Sequence, residues 1–194
     1  MSPEYVPDRL YARLFQPWKL PEAEWPLCRD DWRRVNAITS LPWRGTILDF
    51  GSGDGTLGAM VCSHNPKVKC VRGVEQDLKQ IQRARMLWNG WRVDYDTALN
   101  PKMNSYDGVL CCEVLEHLTP EAGDKVLGDL KRAMKKDAMI CVTVPHPTGP
   151  RAEYPGHVRK FFPRGLIALL TEFGFTHLNI GNIGVIWIMV TGRA

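Results

Sequence analysis

Long apolar stretches are missing from this sequence, and no run approaches the roughly 20 residues that a helix needs to cross a bilayer. The opening residues, MSPEYVPDRL, also lack the basic-then-apolar pattern of a secretory signal. Neither sign of charge dominates, because 25 Lys and Arg oppose 21 Asp and Glu, for a net charge of +4. We therefore expect a cytoplasmic protein without a membrane span or an obligate protein partner. A nucleic-acid partner is permitted by this charge but not required.

Paired cysteines are missing as well. No C-x-x-C pair occurs, and most of the cysteines lie in or beside apolar runs. This pattern favours reduced thiols in the core over disulfides or a zinc site. The six positions are Cys28, Cys62, Cys70, Cys111, Cys112 and Cys141.

Strands and helices alternate from residue 46 onward. We predict buried strands in TILDF, VKCVRGVEQ, YDGVLCC and AMICVTVP, and helices in TLGAMVCSH, DLKQIQRARMLWNG, GDKVLGDLKRAMK and PRGLIALLTEFGF. THLNIGNIG and VIWIMVTG are predicted to be two closing strands that pair antiparallel. The pattern indicates an α/β fold with a doubly wound, mostly parallel sheet in a single domain over residues 46–194.

Residues 1–45 are irregular and punctuated by proline. One helix is predicted there, since apolar residues recur at the spacing of a single helix face. We expect this segment to be an N-terminal helical cap and not a separate domain. The residues on that face are Trp32, Val35, Ile38 and Leu41.

Four glycines follow the first predicted strand in DFGSGDGTLG, and their spacing fits two cofactor fingerprints. The dinucleotide pattern G-x-G-x-x-G is formed by Gly53, Gly55 and Gly58. The pattern D-x-G-x-G-x-G of S-adenosylmethionine (SAM) sites is formed by Asp49, Gly51, Gly53 and Gly55. Asp49 favours SAM, because SAM carries a sulfonium and an ammonium group, whereas the pyrophosphate of a dinucleotide is negative.

Glu75 ends the second predicted strand, 20 residues after Gly55. A carboxylate at this place can accept hydrogen bonds from both hydroxyls of a ribose. Because both cofactors contain a ribose, Glu75 predicts a nucleoside ligand without distinguishing the two.

The order of five stretches resembles that of the class I SAM-dependent methyltransferases: ILDFGSGDGTLG, RGVEQD, YDGVLCCEVLEHL, ICVTVPHP and GHVRKFFPRGLIALLTEFGF. The resemblance covers residues 46–194 and is strongest over residues 46–118. It implies a Rossmann-like methyltransferase fold and SAM as cofactor. One departure from the family is MKKDAM, which stands where a proline-glycine-glycine turn is usual before the fifth strand.

The resemblance also implies which residues contact the cofactor. Asp49, Gly51, Ser52 and Gly53 would line the methionine end, and Glu75 would bind the ribose. Gln76 and Asp96 would meet the adenine, with Thr97 beside them, and Cys112 and Glu113 would lie near the transferred methyl group.

The segment EVLEHL follows the YDGVLCC strand, at the edge of the expected cofactor site. Its polar residues Glu113, Glu116 and His117 can be local contacts, or His117 or His157 can act as a general base. We therefore take His117, Glu113 and His157 as candidate catalytic residues. The segment also resembles that of two metal-assisted groups, the ubiquinone-pathway O-methyltransferases and the enzymes that methylate 2′-hydroxyls at small-RNA 3′ ends. A divalent metal on Glu113, Glu116, His117 and His157 is thus an alternative that we do not favour.

The stretch RAEYPGHVRKFFPRG is basic and aromatic, so it could contact RNA, a small acidic or aromatic metabolite, or only solvent with Phe161 and Phe162 anchored in the core. We expect a small-molecule acceptor methylated at an O or N atom. The alternatives are a metal-assisted RNA 2′-O-methyltransferase, an NAD-dependent oxidoreductase and a non-catalytic nucleotide-binding module.

Overall fold

The computed structural model describes residues 29–99 and 104–194. The elements run in the order α1 (Arg29–Thr39), β1 (Gly45–Phe50), α2 (Thr56–His64), β2 (Val68–Val74), α3 (Leu78–Leu87), β3 (Val93–Asp96), β4 (Tyr106–Cys112), α4 (Pro120–Ala133), β5 (Met134–Pro145), α5 (Pro163–Glu172), β6 (Thr176–Ile183) and β7 (Trp187–Arg193). A single 3₁₀ turn, Leu115–His117, lies between β4 and α4.

The seven strands form one sheet in the order β3-β2-β1-β4-β5-β7-β6. The pairs from β3 to β5 are parallel, and β7 is antiparallel to both of its neighbours. Strand order reverses between β1 and β4, and in such sheets the ligand binds beyond the carboxyl ends of the strands at this reversal. The predicted α/β class, parallel sheet and antiparallel closing strand are confirmed.

Apolar residues cover both faces of the sheet, as its central strands require. On one face, Leu127 of α4 and Leu170 of α5 are buried against strand residues such as Val109 and Ile140. On the other, Ile38 of α1 and Val61 of α2 pack against the sheet, and α3 continues this layer. The result is a three-layer α/β/α domain with one sheet at its centre.

Three residues of the predicted face, Trp32, Val35 and Ile38, are buried on helix α1. The fourth, Leu41, lies beyond the end of the helix at Thr39 and is partly buried. Most of the predicted cap, residues 1–28, lies outside the described residues, so the cap stays a prediction. No helix within residues 29–99 and 104–194 is long and apolar enough to cross a bilayer.

Two strands differ from the sequence prediction. No strand was predicted at Val93–Asp96, although β3 pairs with β2 there. Strand β5 begins at Met134 and not at Ala138, because Met134 pairs with Tyr106 before the register shifts. Asp137 adopts φ 58 within this irregular stretch, which is where MKKDAM departs from the family turn.

Candidate cofactor and acceptor site

The glycine loop connects β1 to α2 and leaves open space beside its backbone. Gly53 has φ 52, and a Cβ added there would meet nothing within 4 Å. Gly51 has φ 75, and a Cβ there would lie 2.3 Å from Cγ2 of Val114. Any side chain at Gly51 would therefore collide with the segment after β4, whereas the missing side chain of Gly53 leaves room for a ligand.

Glu75, at the end of β2, is held by two backbone donors. Its Oε2 accepts from the Gly53 N–H at 3.0 Å, and its Oε1 accepts from the Asp77 N–H at 2.9 Å. Each carboxylate oxygen can accept two hydrogen bonds, so each keeps one free position. The carboxylate is thus fixed next to the glycine loop and could still accept from two ribose hydroxyls.

Asp49 lies beneath the loop, 2% exposed, and its Oδ2 has no hydrogen-bond partner among the described residues. Burial raises the pKa of its carboxyl to about 7, although the Gly58 N–H and the Arg34 guanidinium both act to lower it. Gly58 approaches closely here, since a Cβ on it would lie 2.8 Å from Asp49 Oδ2. A cationic ligand nearby would favour the ionised form of this acid.

A cavity of about 680 Å³ opens at the carboxyl ends of β1, β2 and β4. Its walls include six of the residues that the sequence predicted for the site: Gly51, Glu75, Gln76, Thr97, Glu113 and His117. The other predicted residues are not among the walls of this cavity: Asp49, Ser52, Gly53, Asp96, Cys112 and His157. Asp96 instead lines a neighbouring cavity with Asp94 and Tyr95. Cys112, for example, packs in the core with Leu110 and Cys141.

Sequence reasoning missed the apolar walls of this cavity, which include Phe50, Leu99, Val114, Leu118 and Val126. Val114 lies between the polar residues of EVLEHL and Leu118 directly follows them, so their spacing was a usable signal. Such walls suit the flat faces of a nucleoside base, because ligand cavities are mostly apolar with a few placed polar groups.

Glu113 follows β4 in an unusual backbone conformation, with φ 58. Both of its carboxylate oxygens accept hydrogen bonds from buried donors. The Thr143 hydroxyl donates to Oε1 at 3.0 Å, and the Trp187 Nε1–H donates to Oε2 at 2.7 Å. The carboxylate is therefore engaged by β5 and β7.

Glu116, His117 and His157 converge beside the cavity. Glu116 is 1% exposed, and neither carboxylate oxygen has a partner among the described residues. Burial first, and then the nearby Glu113, hold the pKa of Glu116 well above its usual range. The His117 and His157 rings contact each other edge to face, with centroids 4.7 Å apart. One ligand atom from each of the three residues falls within 4.8 Å of the others.

The connection between β5 and α5 brings His157 to this place. The N–H groups of Val158 and Arg159 both donate to the Glu116 carbonyl, at 2.8 and 3.2 Å. Phe161 is buried and anchors the segment, as one sequence interpretation expected, but Phe162 is 61% exposed. The expectation that Phe162 also anchors the segment is wrong, because Phe162 precedes α5 with its side chain in solvent.

Comparisons with known proteins also indicate a methyltransferase. The sequence model of the family described as "Methyltransferase domain" matches residues 48–140. No curated protein sequence matches the chain.

Solved structures share the fold at low sequence identity. A SAM-dependent methyltransferase from Archaeoglobus fulgidus is 19% identical, with a TM-score of 0.67, covering 85% of this chain and 92% of its own. One from Mesorhizobium loti is 15% identical, with a TM-score of 0.66 and coverages of 85% and 98%. The [4+2]-cyclase SpnF is 16% identical, with a TM-score of 0.71 and coverages of 87% and 82%.

A likeness to a cyclase shows that this fold alone does not fix the reaction. The family match adds evidence about the reaction that the fold alone does not give, since the matched residues include the glycine loop, Glu75 and the EVLEHL segment. It decides between the two glycine fingerprints, so the dinucleotide interpretation of Gly53, Gly55 and Gly58 is set aside. Residues 48–140 thus match a methyltransferase domain, and the chain shares the fold of SAM-dependent methyltransferases, which supports SAM as its cofactor.

Proposed function

We propose that this methyltransferase acts on a small molecule at an O or N atom, and that the acceptor binds between the EVLEHL segment and residues 146–162. The observation that carries this proposal is the pair of imidazoles, His117 and His157, at the edge of the cavity. Bound SAM supplies the electrophilic methyl group. The chain's own residues orient the acceptor and take up its proton.

The lowered pKa of His157 and the hydrogen bond of His117 support this role. Burial, and then the neighbouring His117, lower the pKa of His157, so its neutral form prevails at neutral pH. Nδ1 of His117 lies 3.0 Å from the Gly156 carbonyl, which can only accept. A neutral His117 therefore carries its proton on Nδ1 and leaves Nε2 free to accept one. Either ring can serve as the base.

The cofactor residues that the sequence identified complete the proposal. We assign the ribose to Glu75, the adenine to Gln76, Asp96 and Thr97, and the methionine end to the loop. The loop residues are Asp49, Gly51, Ser52 and Gly53, with Cys112 beneath the transferred methyl group. The open space at Gly53 and the two bound oxygens of Glu75 support this arrangement.

The test is turnover of SAM to S-adenosylhomocysteine (SAH), followed by mass spectrometry, with a panel of small amines, phenols and catechols. We expect turnover with at least one compound, and a loss of roughly 100-fold or more in His117→Ala or His157→Ala. His177→Ala removes a histidine from the exposed strand β6 and should leave the rate unchanged. Turnover with an RNA oligonucleotide alone would favour the RNA alternative over a small molecule.

A second candidate is metal-assisted transfer, favoured by the convergence of Glu116, His117 and His157. Of the four ligands that the sequence offered, Glu113 is the one already engaged at both oxygens. One carboxylate and two imidazoles suit Zn, Mn or Fe better than Mg. A divalent metal held there would lower the pKa of an acceptor oxygen.

Chelation separates the two candidates. Protonation of the imidazoles at low pH would stop both a general base and a metal site, so the pH dependence of the rate does not distinguish them. Full turnover in EDTA with a large loss in His117→Ala would end the metal interpretation. Loss of turnover in EDTA, restored by added Zn or Mn, would establish it.

A further inference from the structure

The backbone of Glu113 is strained at the wall of the cofactor cavity. Its φ of 58 lies in the left-handed region, which a residue with a side chain adopts at a cost. That cost corresponds to about tenfold in an equilibrium constant. Strain of this kind persists only where the surrounding structure holds it in place.

Two buried residues hold Glu113 in this backbone conformation. Trp187 and Thr143 are both 0% exposed, and their donors reach the two carboxylate oxygens of Glu113 at 2.7 and 3.0 Å. The Trp187 indole is itself clamped, because the guanidiniums of Arg34 and Arg151 lie 5.2 and 4.9 Å from its ring centroid. The carboxylate thus docks onto a fixed donor pair 30 and 74 residues away in sequence.

The conformation of Glu113 sets the position of the residues that follow it. Val114 stands with Cγ2 against Gly51, at the place where a Cβ of that glycine would be. The His117 N–H donates to the Val114 carbonyl at 3.0 Å, so the turn that carries His117 starts from the same residue. Val114 and His117 are both walls of the cavity.

We propose that Trp187 and Thr143 are positioning residues that hold Glu113 in its left-handed conformation, and that Glu113 in turn positions Val114 and His117 around the cofactor. In this role the carboxylate is an anchor for the backbone. It is neither the base nor a metal ligand. The inference depends on SAM binding in this cavity, which the wild-type titration below tests separately.

The test compares Glu113→Ala with Glu113→Gly in calorimetric titrations with SAH. Both variants lose the carboxylate and leave the same two donors unpaired. Alanine resists a positive φ and glycine does not. We expect Glu113→Ala to bind SAH about tenfold more weakly than wild type, and Glu113→Gly to recover most of that loss. Glu113→Gln should also recover most of it, since the Thr143 hydroxyl can turn to accept from the amide while the amide oxygen accepts from Trp187.

Trp187→Phe and Thr143→Val test the donors. Each should weaken SAH binding by roughly tenfold, because one hydrogen bond to a charged acceptor is lost. The matched control is Trp43→Phe. Trp43 is 2% exposed and donates Nε1–H to the Ile38 carbonyl at 2.7 Å, away from the cavity. This control should lower the melting temperature as Trp187→Phe does, with wild-type affinity for SAH.

Three results would overturn the inference. Equal losses of affinity in Glu113→Ala, Glu113→Gly and Glu113→Gln would show that the charge matters and the conformation does not. Wild-type affinity in folded Trp187→Phe and Thr143→Val would show that the donors do not position the site. An equal loss in Trp43→Phe would reduce the effect to general destabilisation. Failure of the wild-type chain to bind SAH would instead refute the assignment of the cavity.

Discussion

The two halves of the site are built by different means. The proposed cofactor half, here called the cofactor half, consists of residues 49–55, 75–77 and 96–99 and is shaped by loops directly after neighbouring parallel strands. Its key side chain, Glu75, bonds to backbone N–H groups, and one of them lies 22 residues away. The proposed acceptor half, here called the acceptor half, consists of residues 113–118 and 146–162 and is joined by side chains from distant segments. The bond between Glu113 and Trp187 spans 74 residues.

Because of this difference, the two halves should tolerate different kinds of amino-acid substitution. Backbone geometry in the cofactor half depends on the absence of side chains at glycines, so it is sensitive to any added carbon. The acceptor half depends on the identity of individual side chains, which include Glu116 and the imidazoles of His117 and His157. We therefore expect steric substitutions to disable the first half and charge-changing substitutions to alter the second. The charged exceptions in the first half are Asp49 beneath the loop and Glu75.

The largest effect is expected for Gly53→Val. A β-branched side chain opposes φ 52 and fills the open space beside the loop. SAM and SAH binding should fall by about 100-fold or more, which corresponds to roughly 3 kcal/mol. Gly181→Val is the matched control, since Gly181 also has open space around a Cβ but lies on strand β6. Binding of SAM by folded Gly53→Val with wild-type affinity would place the ligand elsewhere.

A moderate effect on stability is expected for Asp49→Asn. Burial raises the Asp49 pKa to about 7, so the folded chain holds a proton that the unfolded chain releases above its ordinary pKa of 3.8. Wild-type stability should fall as pH rises through this window, and the neutral amide removes the fall. The ligand-free variant should therefore be more stable than wild type at pH 8, by about 1–3 kcal/mol.

Chemical denaturation at pH 4 and pH 8 measures this difference, which should shrink toward pH 4. Asp94→Asn serves as the control, because the Asp94 side chain is 62% exposed and its ion pair with Arg72 lies at the surface. A variant that is less stable than wild type at pH 8 would show that the fold stabilises the ionised carboxylate of Asp49, contrary to a raised pKa.

The smallest effect is expected in the titration of His157. Because burial and His117 lower the pKa of His157, its NMR titration midpoint should lie below the ordinary value of 6.5. In His117→Ala the midpoint should move upward but stay below 6.5, since burial is the larger cause. A wild-type midpoint above 6.5 would contradict the lowered pKa of His157.

Most of the cofactor half could be predicted from the sequence, because its signals are local. The glycines follow an apolar strand, and Glu75 ends the next strand. Spacing along one chain segment was enough to place these groups at the same sheet edge. Strand β3 was not predicted, because VDYD is short and carries two exposed aspartates.

The acceptor half could be predicted only in part. EVLEHL and His157 were identified as candidates, and the structure brings Glu116, His117 and His157 together. The hydrogen bonds of Trp187 and Thr143 to Glu113 could not be predicted from local sequence spacing, because the partners are 74 and 30 residues apart. A tryptophan such as Trp187 in strand β7 is usually read as a core residue. Only the order of the strands in the sheet places it near the end of β4. Contacts of this kind follow from topology and not from spacing.

The most direct test of the central claim is a calorimetric titration of the wild-type chain and Glu75→Ala with SAM, SAH and NAD. The account predicts one site for SAM and SAH, and no NAD binding. Glu75→Ala should bind at least tenfold more weakly, because hydrogen bonds to a charged group are worth roughly 1.5–3 kcal/mol. Tight NAD binding, or an unchanged affinity for SAM in folded Glu75→Ala, would contradict it.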